Sequence, residues 1–201
     1  MLQTNIQFEK LLTKLLRDIV VEFIAHPDDL EITAKRFHQI ISIQWRGHKA
    51  DTARMIGEGG QNYHHLRQIM MLAGQAHGYD ADLARVGDPV RGSSERYNGF
   101  IARADWPRRR LLNVLEATTR ACCRHDQVEI DECEIRPDTS AVVVKLDERE
   151  SLNTETVLKV SLKHIAGTIF PANGRLVKLQ VERSLPAGDQ QPESYAGRFT
   201  R

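Results

Sequence analysis

The chain has 201 residues, 41% hydrophobic and 27% charged, comfortable for two ordinary domains and able to bury a core without disulfide or metal staples. Its apolar stretches are short and broken by charge, which excludes a membrane-spanning helix, and the formal net charge is only +1. That balance hides segregation: Lys/Arg against Asp/Glu run ten to eleven over residues 1–88, eight to three over 89–125, three to nine over 126–150, and seven to four over 151–201.

The opening residues Met1 to Asn5 lack the basic-then-apolar layout of a secretory signal, and Glu9 and Lys10 follow at once, so a cytoplasmic location is expected. Ile6, Leu11, Leu12, Leu15, Ile19, Val20, Phe23 and Ile24 recur at three- and four-residue steps and predict a helix over 6–25. It should stop at His26-Pro27, because the residue before proline is driven from helical geometry. Two strands follow, one brief at Leu30–Ile32 and a second in which Phe37, Ile41, Ile43 and Trp45 alternate. Asp51 is placed to cap a short helix from Thr52 to Ile56, which Gly57-Glu58-Gly59-Gly60 must end. A further helix carries Tyr63, Leu66, Met70 and Ala73 on its inner face, closes at Gly74 and Gly78, and leads to a strand over Asp82–Val86.

Residues 89–105 are rich in glycine, serine and arginine and read as a basic linker. Beyond them, Asp105 and Pro107 suit the start of a helix in which Leu111, Leu112, Leu115 and Ala121 favour one side. Strands are expected at Val128–Ile135 and Ala141–Leu146, joined at Arg136-Pro137-Asp138-Thr139. A helical stripe of Leu158, Leu162, Ile165 and Ile169 and a turn at Asn173-Gly174 lead to a strand over Leu176–Val181. This second unit repeats the first without its short helix and glycine turn. The tail from residue 185 has the composition of a disordered segment.

The residues that carry chemistry are Ile56-Gly57-Glu58-Gly59-Gly60-Gln61-Asn62-Tyr63-His64-His65-Leu66. They resemble the signature of the K-homology (KH) domain, an Ile-Gly-x-x-Gly loop between two helices. With the helix ending His-Pro-Asp-Asp-Leu-Glu-Ile, the two strands and the short helix before the loop, residues 15–88 resemble small bacterial single-KH proteins, the KhpA-like family. The resemblance implies an α/β (α+β) protein: a type II KH domain (α-β-β-α-α-β) over 1–88, the linker over 89–105, a degenerate KH-like α-β-β-α-β unit over 106–184 and the tail over 185–201. It implies a clamp for single-stranded RNA, with single-stranded DNA a lesser variant, in post-transcriptional regulation, ribosome assembly or RNA chaperoning.

Physical chemistry explains the residue types. Glycines let a sugar–phosphate backbone approach the main chain, and amides at the following helix N-terminus, here Gly60, Gln61 and Asn62, suit phosphate oxygens. Arg46, Lys49 and Arg54 are placed as cations beside Gly57, Glu58, Gly59, Gly60, Gln61 and Asn62, the last two also side-chain donors. The family usually has Lys or Arg in the loop where this chain has Glu58 and Gly59, and a carboxylate facing phosphate opposes binding.

Other features have plainer readings. Cys122, Cys123, His125 and Cys133 could be assembled into a zinc set on paper, but adjacent helical residues point apart and buried small side chains explain the cysteines. His64-His65 reads as surface, and Trp45 and Tyr63 as core. Arg91, Arg96, Arg103 and Arg108–Arg110 suit either phosphates or solvent. Glu129, Asp131, Glu132 and Glu134 would repel RNA from the second unit, which points it toward docking or dimerisation, with itself or another KH protein. No activated nucleophile, phosphate-loop lysine or paired catalytic carboxylates emerge, so neither an enzyme, a metal nor a cofactor is expected. The alternative is an interaction or dimerisation module on a KH scaffold that no longer grips RNA.

Overall fold

Apolar side chains at helical spacing build α1 (Leu2–Val20), in which Phe8, Leu12, Leu15, Leu16, Ile19 and Val20 are buried. The computed structural model of the chain describes residues 2–85, 108–125, 127–136, 139–169 and 176–184. The expected linker over 89–105, the turn residues Pro137-Asp138 and Asn173-Gly174, and the tail over 185–201 lie outside the described residues.

Helix α1 ends at Val20, short of the predicted His26-Pro27 boundary. The amides of Val21, Glu22 and Phe23 bond back to Arg17, Ile19 and Val20, tightening the last turn. The chain is thereby redirected so that the amides of Ala25 and His26 meet the Asp51 carboxylate at 2.9 and 2.7 Å.

Strands β1 (Glu31–Phe37) and β2 (Ile40–Arg46) form an antiparallel hairpin across His38-Gln39. Phe37 therefore ends the first strand instead of opening the second, and it is exposed. No glycine announces this turn because His38 itself takes a positive φ of 54°. Ile41, Ile43 and Trp45 point into the core, as their alternation predicts.

After β2 come α2 (Lys49–Ile56), the glycine turn, α3 (Gln61–Ala76) and β3 (Asp80–Arg85), which pairs parallel to β2. Gly74 does not close α3. It lies inside the helix against β3, where a Cβ would sit 2.6 Å from that of Ala81, and Gly78, with φ 80°, makes the exit.

The second unit is α4 (Arg108–Cys122), β4 (Val128–Arg136), β5 (Thr139–Asp147), α5 (Leu152–Ile169) and β6 (Leu176–Ser184). Its central strand β5 has β4 antiparallel on one side and β6 parallel on the other, the arrangement of the first sheet. The described residues are thus a mixed α/β protein of five α-helices and two three-stranded sheets.

The two units meet helix to helix. Helix α3 packs on both α4 and α5, α1 also touches α4, and each sheet lies behind its own helices. One cluster of buried apolar side chains runs through both units, from Leu12, Leu66 and Ile69 to Leu115, Leu158 and Leu162. Cys122 lies in this seam, its thiol directed at the Ile69 carbonyl at 3.6 Å. Burial holds that thiol well above its ordinary pKa, and burial with Glu150 and Asp147 nearby pushes Cys123 up to about 12.

Candidate nucleic-acid interface

Helix α2 begins at His48, whose Nδ1 accepts from the Ala50 amide at 3.2 Å. Asp51 is therefore not the predicted cap. It is a buried residue of the first turn, and its carboxylate accepts from the Ala25 and His26 amides and lies 3.0 Å from His26 Nδ1. His26 and His48 stack with ring centroids 3.9 Å apart. One ligand-capable atom from each of His26, His48 and Asp51 falls within 4.8 Å of the others. Both carboxylate oxygens already receive backbone amides, so this cluster is accounted for as the joint between the α1 exit and α2.

Gly57 ends α2 with φ 76° and ψ 173° while its amide donates to the Ala53 carbonyl at 2.8 Å. Glu58–Gly60 then form a single 3₁₀ turn, with Gly59 at φ 58° and Gly60 at φ 80°. The three glycines are not equivalent. A Cβ on Gly57 would lie 2.7 Å from Asn62 Cγ and 2.9 Å from the Asn62 amide nitrogen, whereas one on Gly59 or Gly60 would meet nothing within 4 Å. Gly57 is pressed on the helix that follows; Gly59 faces open space.

The amides differ in the same way. Gly60 N–H donates to the Gly57 carbonyl at 3.2 Å and Gln61 N–H to that of Glu58. The amides of Glu58 and Gly59 have no acceptor among the described residues. The turn thus combines free amides, no side chain on Gly59 and the start of a sixteen-residue helix. Glu58 and Gln61 are exposed on it.

Asn62 is committed within the protein. Its Nδ2 donates to the Arg54 carbonyl at 2.6 Å, and its Oδ1 accepts from His164 Nε2 at 2.7 Å and from Thr168 Oγ1 at 3.1 Å. Arg54 is half-buried, with Nη1 3.8 Å from Asp51 Oδ1. Lys49 is exposed in the first turn of α2. Arg46 is exposed at the end of β2 and donates from Nε to Glu31 Oε2 at 2.7 Å. An exposed pair of this kind is worth at most about 1 kcal/mol and leaves the guanidinium easily diverted. The turn residues and Arg54 are contiguous, while Lys49 stands at the far end of α2 and Arg46 beyond it on β2.

His65 is not at the surface as the sequence suggests. It is buried between the units, 3.3 Å from Ser161 Oγ, with the His164 ring 4.3 Å away. Burial, His164 and then His64 lower the pKa of His65, and burial lowers that of His164. The reading of Trp45 as core holds, and Tyr63 is half-buried with its hydroxyl donating to the Leu83 carbonyl. Cys122 and Cys123 are buried, while the side chain of Cys133 is outside the described residues. So are the side chains of Arg108–Arg110, Glu132 and Glu134. On β4, Asp131 pairs with Lys145 of β5. Among the described residues, no helix is long and apolar enough to cross a membrane.

No family model matches the chain. The RNA-binding protein KhpA of Bacillus subtilis (strain 168) is 32% identical over 63 residues, covering 31% of this chain and 78% of that protein. Among solved structures, the crystal structure of APE1850 aligns with 86% of this chain and 97% of its own at 14% identity, with a TM-score of 0.23, too low to bear on fold or function.

Proposed function

The chain belongs to the family of the RNA-binding protein KhpA, and on that premise we propose that it grips single-stranded RNA on the Gly57–Gly60 turn. The reading takes residues 1–88 as a type II KH domain and 106–184 as a KH-like unit that has lost the clamp. The observation that carries it is the open turn: Gly59 has a positive φ, no neighbour within 4 Å of a Cβ and an amide free of any acceptor among the described residues. A phosphate can reach that backbone, and the N-terminus of α3 favours its charge. Lys49, Arg54 and Arg46 would lie along the bound strand, with Gln61 as the side-chain donor at the turn. The role is that of a cytoplasmic, non-enzymatic binder in post-transcriptional regulation, ribosome assembly or RNA chaperoning. Glu58 would weaken the phosphate contacts, so affinity is expected to be modest.

The test is binding of labelled single-stranded RNA by the full chain and by Gly59→Asp as salt is raised. Aspartate tolerates a positive φ better than most residues and has room at this position, so the fold survives while a second carboxylate enters the turn. Two or three phosphate contacts predict roughly tenfold weaker native binding over a fourfold rise in salt. Gly59→Asp should abolish binding at every salt concentration. Equal binding by both proteins would move the interface off the turn, and no binding by either at low salt would leave the interaction-module reading in its place. Single-stranded DNA of the same sequence reports how far the grip depends on the 2′-hydroxyl.

A further inference from the structure

Asn62 ties together three segments that are remote in sequence. Its NH₂ group donates to the Arg54 carbonyl in the last turns of α2, so the side chain bridges the two helices that flank the turn. Its oxygen faces two donors from one face of α5, His164 and, four residues on, Thr168, whose single hydroxyl proton is shared between Asn62 Oδ1 and the His164 carbonyl, each at 3.1 Å. Gly57 is pressed onto this same side chain and would clash with it if it carried a Cβ. The geometry of the turn is therefore referred to Asn62, and Asn62 is referred to the second unit.

We propose that the second unit is the brace of the glycine turn, with His164 and Thr168 as positioning residues that hold Asn62 and, through it, the turn in its open form. The proposal rests on the reading of that turn as the RNA grip. Without α5, the Asn62 oxygen loses both donors, and the amide is free to rotate away from Arg54. Gly57, Gly59 and Gly60 hold the turn only weakly by themselves, since glycine is the residue with most conformational freedom to lose. A unit with no glycine clamp of its own thereby presets the clamp of its neighbour, and so lowers the ordering cost of binding. His164 suits this role because Nε2–H donates from the neutral ring that burial favours.

The experiment uses the full chain and variants His164→Leu, His164→Gln and Thr168→Val. Each is read by affinity for a labelled oligouridine and by the NMR amide signals of Glu58, Gly59, Gly60 and Gln61. His164→Leu and Thr168→Val should each weaken binding roughly three- to tenfold, the scale of one hydrogen bond, and shift the turn signals. His164→Gln should restore both, because the glutamine NH₂ can donate to Asn62 from near the position of Nε2. A protein merely short of packing would not be rescued in this way. If His164→Leu fails to fold, Thr168→Val, which removes a hydroxyl at constant volume, decides by the same two readouts. Native affinity and native turn signals in the folded donor-deficient variants would overturn the brace while leaving the RNA reading intact. If the native chain binds no RNA, the RNA reading falls. The brace then stands only if the turn signals shift in the donor-deficient variants and return in His164→Gln.

Discussion

Gly57 and Gly59 both adopt a positive φ, yet a methyl group would meet different fates at the two positions. At Gly57 it would overlap Asn62, adding an overpacking penalty of about 1–3 kcal/mol to the strain, also about 1–3 kcal/mol, of a φ 76°, ψ 173° backbone that is essentially reserved for glycine. At Gly59 the strain stands alone. Urea denaturation should therefore show Gly57→Ala to be the more damaging, by about 1 kcal/mol or more. Equal losses would mean that the close approach to Asn62 is absent in solution. Asp51→Ala leaves the Ala25 and His26 amides without their acceptor, and about 2–4 kcal/mol should be lost in the same assay. These positions also mark what is legible at this scale. The turn shows in the sequence because glycine is the residue that positive φ demands. Asp51 and Asn62 do not, since beyond Arg54 the partners that define their roles lie 25–26 and 102–106 residues away. The one local hint was His164, a polar ring set between Leu162 and Ile165 of an apolar stripe.

Helix α3 faces β3 on one side and α4 and α5 on another, so polar residues are drawn into a region that a single-unit helix would leave wet. His65 and His164 are the result, and both are held below their ordinary pKa, mainly by burial. The unfolded chain takes up protons on these rings from about pH 6.5 downward, whereas the folded chain resists until lower pH. Their contribution to stability is thus complete above about pH 6.5 and falls as pH drops through the window below it. The midpoint of thermal unfolding should fall by a few degrees between about pH 7.5 and 5.5, with faster amide exchange in α3 and α5. His65→Phe should flatten that dependence. A midpoint independent of pH would show the rings to be hydrated. The order of helices and strands was legible because hydrophobic periodicity carries it. Several boundaries were not: the hairpin turn rests on a histidine with positive φ, α1 ends at Val20 and leaves the Ala25 and His26 amides to Asp51, α2 is capped by His48, and α3 runs past Gly74.

At the scale of the whole molecule, the sequence predicts two units but not that their helices share one core, because nothing in either periodic pattern says which face meets which. A continuous core predicts one cooperative thermal transition for the full chain. Residues 1–88 made alone should lose stability and bind a hydrophobic dye through the uncovered face of α3. Two separate transitions, or an isolated first unit as stable as the whole, would show the seam to be loose.

The cysteine in that seam gives it a clock. Thiolate is the species that alkylating reagents attack, and Cys122 is both shielded and held protonated while α3 and α4 are in contact. In a chain with Cys123→Ser and Cys133→Ser, the label should add only during the intervals when the two units part. At high reagent concentration its rate becomes the parting rate itself, so a single sulfur atom reports how long the halves of this protein stay together.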